Sequence, residues 1–132
     1  MLDAEAISVL AHPTERGSSA RRAQAVLEAV ERRGGTACVP APVLAEVART
    51  KARSAAVARV LRHARVISTD RSIAVRAGHL LEELELDSRH AVDAFVVATA
   101  AAIGNAIILT GDPGDLRRLA ERTVAVAVQA LP

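Results

Sequence analysis

Short apolar runs alternate along this chain with longer stretches in which apolar positions recur every three or four residues, the pattern of strands separated by amphipathic helices. Met1-Leu2 reads as a short strand leading into a helix from Ala4 to Leu10, and "AHPTERGSS" as a polar loop. "ARRAQAVLEAVERR" is an amphipathic helix stopped by Gly34-Gly35, where a left-handed cap carries no Cβ penalty. "TACVP" reads as a buried strand, and Pro42 suits the first turn of the helix "PVLAEVARTKAR" because its missing N–H is not needed there. A helix from Ser54 to His63, the strand "ARVIST" and the helix "RSIAVRAGHLLEELE", capped by Asp70, come next. "LDSRH" turns into a helix from His90 to Ile103, which Gly104-Asn105 ends; the strand "AIILT", the helical stretch "DPGDLRRLAER" and the strand "TVAVAVQAL" complete the chain.

Strands apolar on both faces and separated by helices predict a mainly parallel sheet covered on both sides, a three-layer α/β/α fold. At 132 residues and 51% hydrophobic content, residues 1–132 form a single domain with one core. The uncharged run from Ala94 to Thr110 is short for a membrane span and is broken by Gly104-Asn105, so it belongs to that core. A single cysteine, Cys38, and the lack of a basic-then-apolar leader point to a reducing cytoplasm.

Acidic residues disturb this pattern. Between Ala91 and Gly111 the only ionisable side chain is Asp93, placed on the helix face that Val96, Val97 and Ala100 complete. Glu46 interrupts the stripe of Val43, Val47 and Thr50 in the same way. Asp3 follows the first strand and Asp112 lies just beyond "AIILT", at the strand ends where sites form in open parallel sheets. Helix capping is an alternative for Asp3 and Asp112, first-turn placement for Asp115, and arginine pairing for Asp93 and Glu46.

Carboxylates gathered without cations raise one another's pKa, and burial penalises each ionised form. A divalent ion removes that penalty. Oxygen ligands with no cysteine or histidine at metal spacing suit Mg²⁺ or Mn²⁺ and not zinc.

"LDAEAIS" with Asp3, "PAPVLAEVAR" with Glu46, "HAVDAFVVATAAAIG" with Asp93 and "AIILTGDPGDLRRLA" with Asp112 together resemble the PIN domain, and within it the VapC-type toxins of bacterial toxin–antitoxin modules. The resemblance implies a Mg²⁺-dependent endoribonuclease in which Asp3, Glu46, Asp93 and Asp112 are the metal-binding catalytic quartet. It also implies an RNA substrate cut to 5′-phosphate and 3′-hydroxyl ends, a VapB-type antitoxin partner, and a homodimer, for which an apolar-rich helix face such as "IAVRAGHLLEEL" would serve. Thr110 matches the small hydroxyl residue that accompanies the last acid, and Asp115 a further acid found three residues on. Glu5 stands where many relatives have Ser, Thr or Asn, so it either adds a fifth carboxylate or points into solvent; the first strand is also shorter than the family usually has.

Net charge is only +2, yet Arg49, Lys51, Arg53, Arg59, Arg62 and Arg65 occupy a stretch with no acid, which can face a polyanion or simply solvate helices. Arg49, Arg53 and Arg59 are the candidate RNA contacts. Phe95 is the lone aromatic, which disfavours base stacking as the mode of binding. The histidines His12, His63, His79 and His90 read as surface or packing residues. Rival readings are a catalytically silent PIN-like domain that binds RNA or antitoxin, and a haloacid dehalogenase-like phosphatase. The phosphatase needs a lysine after its hydroxyl-ended strand, whereas Lys51 precedes "VISTD".

Overall fold

The computed structural model describes residues 1–50 and 55–132, with only the backbone of Arg49 and Thr50. Its helices are α1 (Ala4–Ala11), α2 (Gly17–Arg32), α3 (Ala41–Thr50), α4 (Ala55–Arg62), α5 (Arg71–Glu83), α6 (Ala91–Ile103) and α7 (Pro113–Ala120). The strands are β1 (Cys38–Pro40), β2 (Arg65–Ile67), β3 (Ala106–Thr110) and β4 (Val126–Ala130).

Among the described residues every strand pairing is parallel. Cys38 lies opposite Arg65 and Pro40 opposite Ile67, while Ala106 lies opposite Val126 and Thr110 opposite Ala130. The expected first strand is reduced to one bridge, between Leu2 and Leu109. That bridge still makes the sheet continuous: the Leu2 N–H donates to the Cys38 carbonyl at 2.8 Å, and the Leu109 N–H to the Met1 carbonyl at 2.9 Å. The order is therefore β2, β1, residues 1–3, β3, β4, with helices packed over it in the expected α/β/α arrangement.

Aliphatic side chains fill the interior. Leu2, Ile7, Val9, Val39, Val96, Val97, Ile108, Leu109, Leu116 and Leu119 are fully buried. The strand at 65–67 departs from expectation, because β2 lies at the sheet edge and Val66 is 44% exposed. Helix α2 starts at Gly17, inside the expected loop, where the buried Ser19 hydroxyl donates to the Pro132 carbonyl. Gly34 takes the left-handed conformation foreseen for it, with φ +76°. Asp70 caps α5 through the Ile73 N–H at 2.9 Å.

The apolar stripe of α5 (Ile73, Ala77, Leu80) is buried in the chain's own core, α5 packing on α6, while Ala74, Val75 and Gly78 on its other face are exposed. Among the described residues no helix is long and apolar enough to cross a membrane. Helix α6 ends at Gly104, whose φ of +74° breaks the apolar run as anticipated.

Candidate metal centre

Residues 1–3 and β3 run side by side, and this places Asp3 next to Thr110. The Asp3 N–H points at the Leu109 carbonyl at 3.4 Å, one residue before the end of β3. The Asp3 carboxylate begins α1 as its N-cap, accepting from the Ala6 N–H at 2.7 Å. Burial is the main influence on this group and raises its pKa. Hydrogen bonds from the Thr110 hydroxyl and the Ala6 N–H oppose the rise, and the charges of Glu5 and Glu46 add to it.

Asp93 lies in the first turn of α6, half-buried beneath the fully buried Val96, Val97 and Ala100. Its carboxyl is pushed up to about 6, first by burial and then by the charges of Glu46, Asp3 and Asp115, with His90 opposing. Among the described residues neither Asp3 nor Asp93 has an arginine or lysine at ion-pair distance, so the arginine-pairing alternative does not account for Asp93. Asp3, Glu46 and Asp93 thus reach one another electrostatically from three separate elements.

Glu46 is exposed, although Val43 and Val47 on its helix face are buried. Its stripe leaves the core at this position, so Glu46 is a rim residue and not the core-facing acid that spacing suggested. Asp112 is also exposed and is bound to its own backbone: it caps α7 through the Gly114 N–H at 3.5 Å, while its N–H donates to Thr110 Oγ1 at 3.0 Å. Thr110 is wholly buried, with the Asp112 carbonyl 3.1 Å from its hydroxyl and the Asp3 carboxylate also within reach. It ties the first and last acids of the set together.

Glu5 lies over the turn that follows β3. A Cβ built on Gly111 would stand 2.3 Å from Glu5 Cγ, so the absence of a side chain there lets Glu5 pack against the backbone. Its charge is met by Arg16. Asp115, in the first turn of α7, pairs with His90 at 3.3 Å and Arg118 at 3.5 Å. The partners Arg16, Gly111 and His90 carried no signal in the sequence beyond, for His90, its place three residues before Asp93.

Arg53 lies outside the described residues, as does the side chain of Arg49. Arg59 lines a cavity of about 250 Å³ with Ala37 and Ala64, the residues before β1 and β2, at the end of the sheet away from the carboxylates.

The donor set fits a hard divalent cation: oxygen atoms only, with two half-buried carboxyls whose pKa is raised first by burial and further by neighbouring acidic charge. Among the described residues no three acid, histidine or cysteine side chains lie together as a finished ligand set. Magnesium keeps several waters and is often held by one or two carboxylates, so an open set of this kind is compatible with it.

The chain matches the PIN domain family over residues 1–122. No curated protein sequence is significantly similar to it. Its fold is similar to that of a chain in the crystal structure of VapBC2 from Rickettsia felis bound to a DNA fragment from their promoter, with a TM-score of 0.70 and 19% identity over 100% of this chain and 98% of that one. At this identity the likeness speaks for the fold alone. The family match spans all the acids gathered around Asp3 and Asp93, and by it the chain belongs to the PIN domain family.

Proposed function

We propose that this protein is the toxin of a toxin–antitoxin module, a metal-dependent endoribonuclease of the VapC type. The observation that carries the reading is the placing of Asp3 and Asp93, two half-buried carboxylates on different elements, each raised in pKa first by burial and then by the charge of Glu46 among its neighbours, with no basic side chain among the described residues paired to either. Structure alone gives no reason to keep such a pair, because either acid replaced by an amide would remove the repulsion.

Asp3, Glu46 and Asp93 would hold Mg²⁺ or Mn²⁺, with Asp112 joining them on releasing the Gly114 N–H. Such an ion, when bound, supplies an activated water and offsets charge on the phosphoryl oxygens. Thr110 keeps Asp3 aligned by its hydroxyl, and Val96 and Val97 close off the inner side of Asp93 from water. Arg16 and Arg118, already bound to Glu5 and Asp115, put positive charge around the acids, where an RNA backbone must approach. A structural neighbour solved as VapBC2 supports a VapB-type antitoxin as partner.

The incomplete ligand set and the capping role of Asp112 favour one rival, a silent PIN-like domain that binds RNA or antitoxin without cutting. Cleavage of total RNA at fixed Mg²⁺ separates the two. The wild type should cut and Asp93→Asn should not, with circular dichroism showing both folded. A folded Asp93→Asn protein that cuts at the wild-type rate refutes the role given to this carboxylate, and a wild type that binds RNA without cutting it establishes the silent domain.

A further inference from the structure

His90 is neither a simple surface residue nor a packing residue. Its Nδ1 lies 3.2 Å from Asp87 Oδ1 and its Nε2 lies 3.3 Å from Asp115 Oδ2, so both ring nitrogens face carboxylates. The side chain is 23% exposed and belongs to the residue directly before α6, three positions ahead of Asp93. Each partner is itself anchored: Asp87 by Arg89 at 2.8 Å and by capping the turn Ser88–His90, Asp115 by Arg118 at 3.5 Å. A ring held from both sides cannot swing without breaking a contact.

The contact joins two parts of the site that the chain connects only through β3. Asp93 stands on α6 and Asp112 and Asp115 stand at the start of α7, with α6 and α7 packed together. We propose that His90 is a positioning residue, which clamps the first turn of α7 to the start of α6 and so fixes the carboxylate of Asp115 against the acid cluster. The inference rests on reading that cluster as a metal centre. It assigns His90 no contact with substrate or ion; through Asp115 it holds the start of α7, and with it Asp112, at a fixed spacing from Asp93 on α6, as outer partners orient ligands in metal sites.

Charge alone gives the opposite expectation. A protonated imidazole near a cation site repels the cation, so its removal would tighten metal binding. A clamp gives a loss, because Asp115 is released to solvent and the acids on α6 and α7 lose their fixed spacing. The sign of the change therefore separates the two.

The test is calorimetric titration of the metal-free protein with Mn²⁺, folding being checked by circular dichroism. His90→Ala should weaken Mn²⁺ binding about tenfold, within the range found for outer partners of metal ligands. His90→Gln, which still offers an N–H to Asp115, should recover part of the loss. Asp115→Ala should lose a similar amount, and the double variant should lose no more than either single one, since both changes remove one contact. Unchanged or tighter binding by His90→Ala, or losses that add in the double variant, overturns the inference and leaves the metal centre standing. A wild type that takes up no Mn²⁺ overturns the metal centre itself. If His90→Ala does not fold, Asp115→Ala decides the matter, and wild-type affinity there rejects the clamp.

Discussion

Leu2 pairs with Leu109 through a single parallel bridge while its N–H donates to the Cys38 carbonyl, and these contacts of Leu2 join the two halves of the sheet. Both side chains are almost wholly buried, Leu2 at 1% exposure and Leu109 at 2%. Leu2→Ala should therefore cost about 2–5 kcal/mol, the usual range for emptying a leucine site in a core. Urea denaturation should show the loss. A change below about 1 kcal/mol would mean that the sheet does not depend on this pair.

Gly111 and Glu5 form a fitted contact. Gly111→Ala places a methyl group 2.3 Å from Glu5 Cγ and should cost about 1–3 kcal/mol through overpacking. Glu5→Ala combined with Gly111→Ala should restore much of that stability, since the obstructing stem is gone. Equal melting temperatures for Gly111→Ala with and without Glu5 would show that the backbone, not the side chain, resists the methyl group.

The Asp93 carboxyl gives the metal-free protein a definite pH dependence. Its folded pKa of about 6 lies above the unfolded value near 3.8, so its contribution to stability is fully present below pH 3.8 and is lost as pH rises through 6. In chelator, melting temperature should fall across that window more for the wild type than for Asp93→Asn. Parallel curves for the two proteins would show that Asp93 does not carry the effect.

Divalent metal should reverse the trend, because binding requires the ionised acids. Mn²⁺ at about 100 times its Kd stabilises the folded state by roughly 2.7 kcal/mol, and this gain should grow as pH rises through 6. Asp93→Asn should show a smaller rise in melting temperature. A flat response of the wild type across a full titration contradicts the proposed centre.

Much of the architecture was legible in the chain. Hydrophobic period located the helices, and Gly34, Gly104 and Asp70 marked ends that the structure confirms. Position in the sheet was not legible, because "ARVIST" has the composition of a buried strand and only tertiary pairing makes β2 an edge. The first strand shrank to a bridge for a related reason: Asp3 stops it by capping α1. At the site, the misplaced acid Asp93 was readable because an apolar helix face has no other use for it. Glu46 was misjudged, since periodicity gives a direction around a helix but not where that face leaves the core. His90 was invisible for want of any local pattern: its partner Asp115 is 25 residues away and meets it only through the packing of α6 on α7.

Asp3 and Asp112 each begin a helix, whereas Asp93 lies inside one. The three positions consequently differ in what would hold them if the chemistry were abandoned. On the proposed reading, a lineage that gave up catalysis would still need a capping side chain at 3 and 112, and Asp or Asn would persist there, Asn serving a cap about as well. Position 93 would have no such second duty. Freed from its charge, it would drift to alanine or valine and merge with the stripe of Val96 and Val97. An apolar residue at 93 beside intact acids at 3 and 112 would thus be the fossil of a retired enzyme.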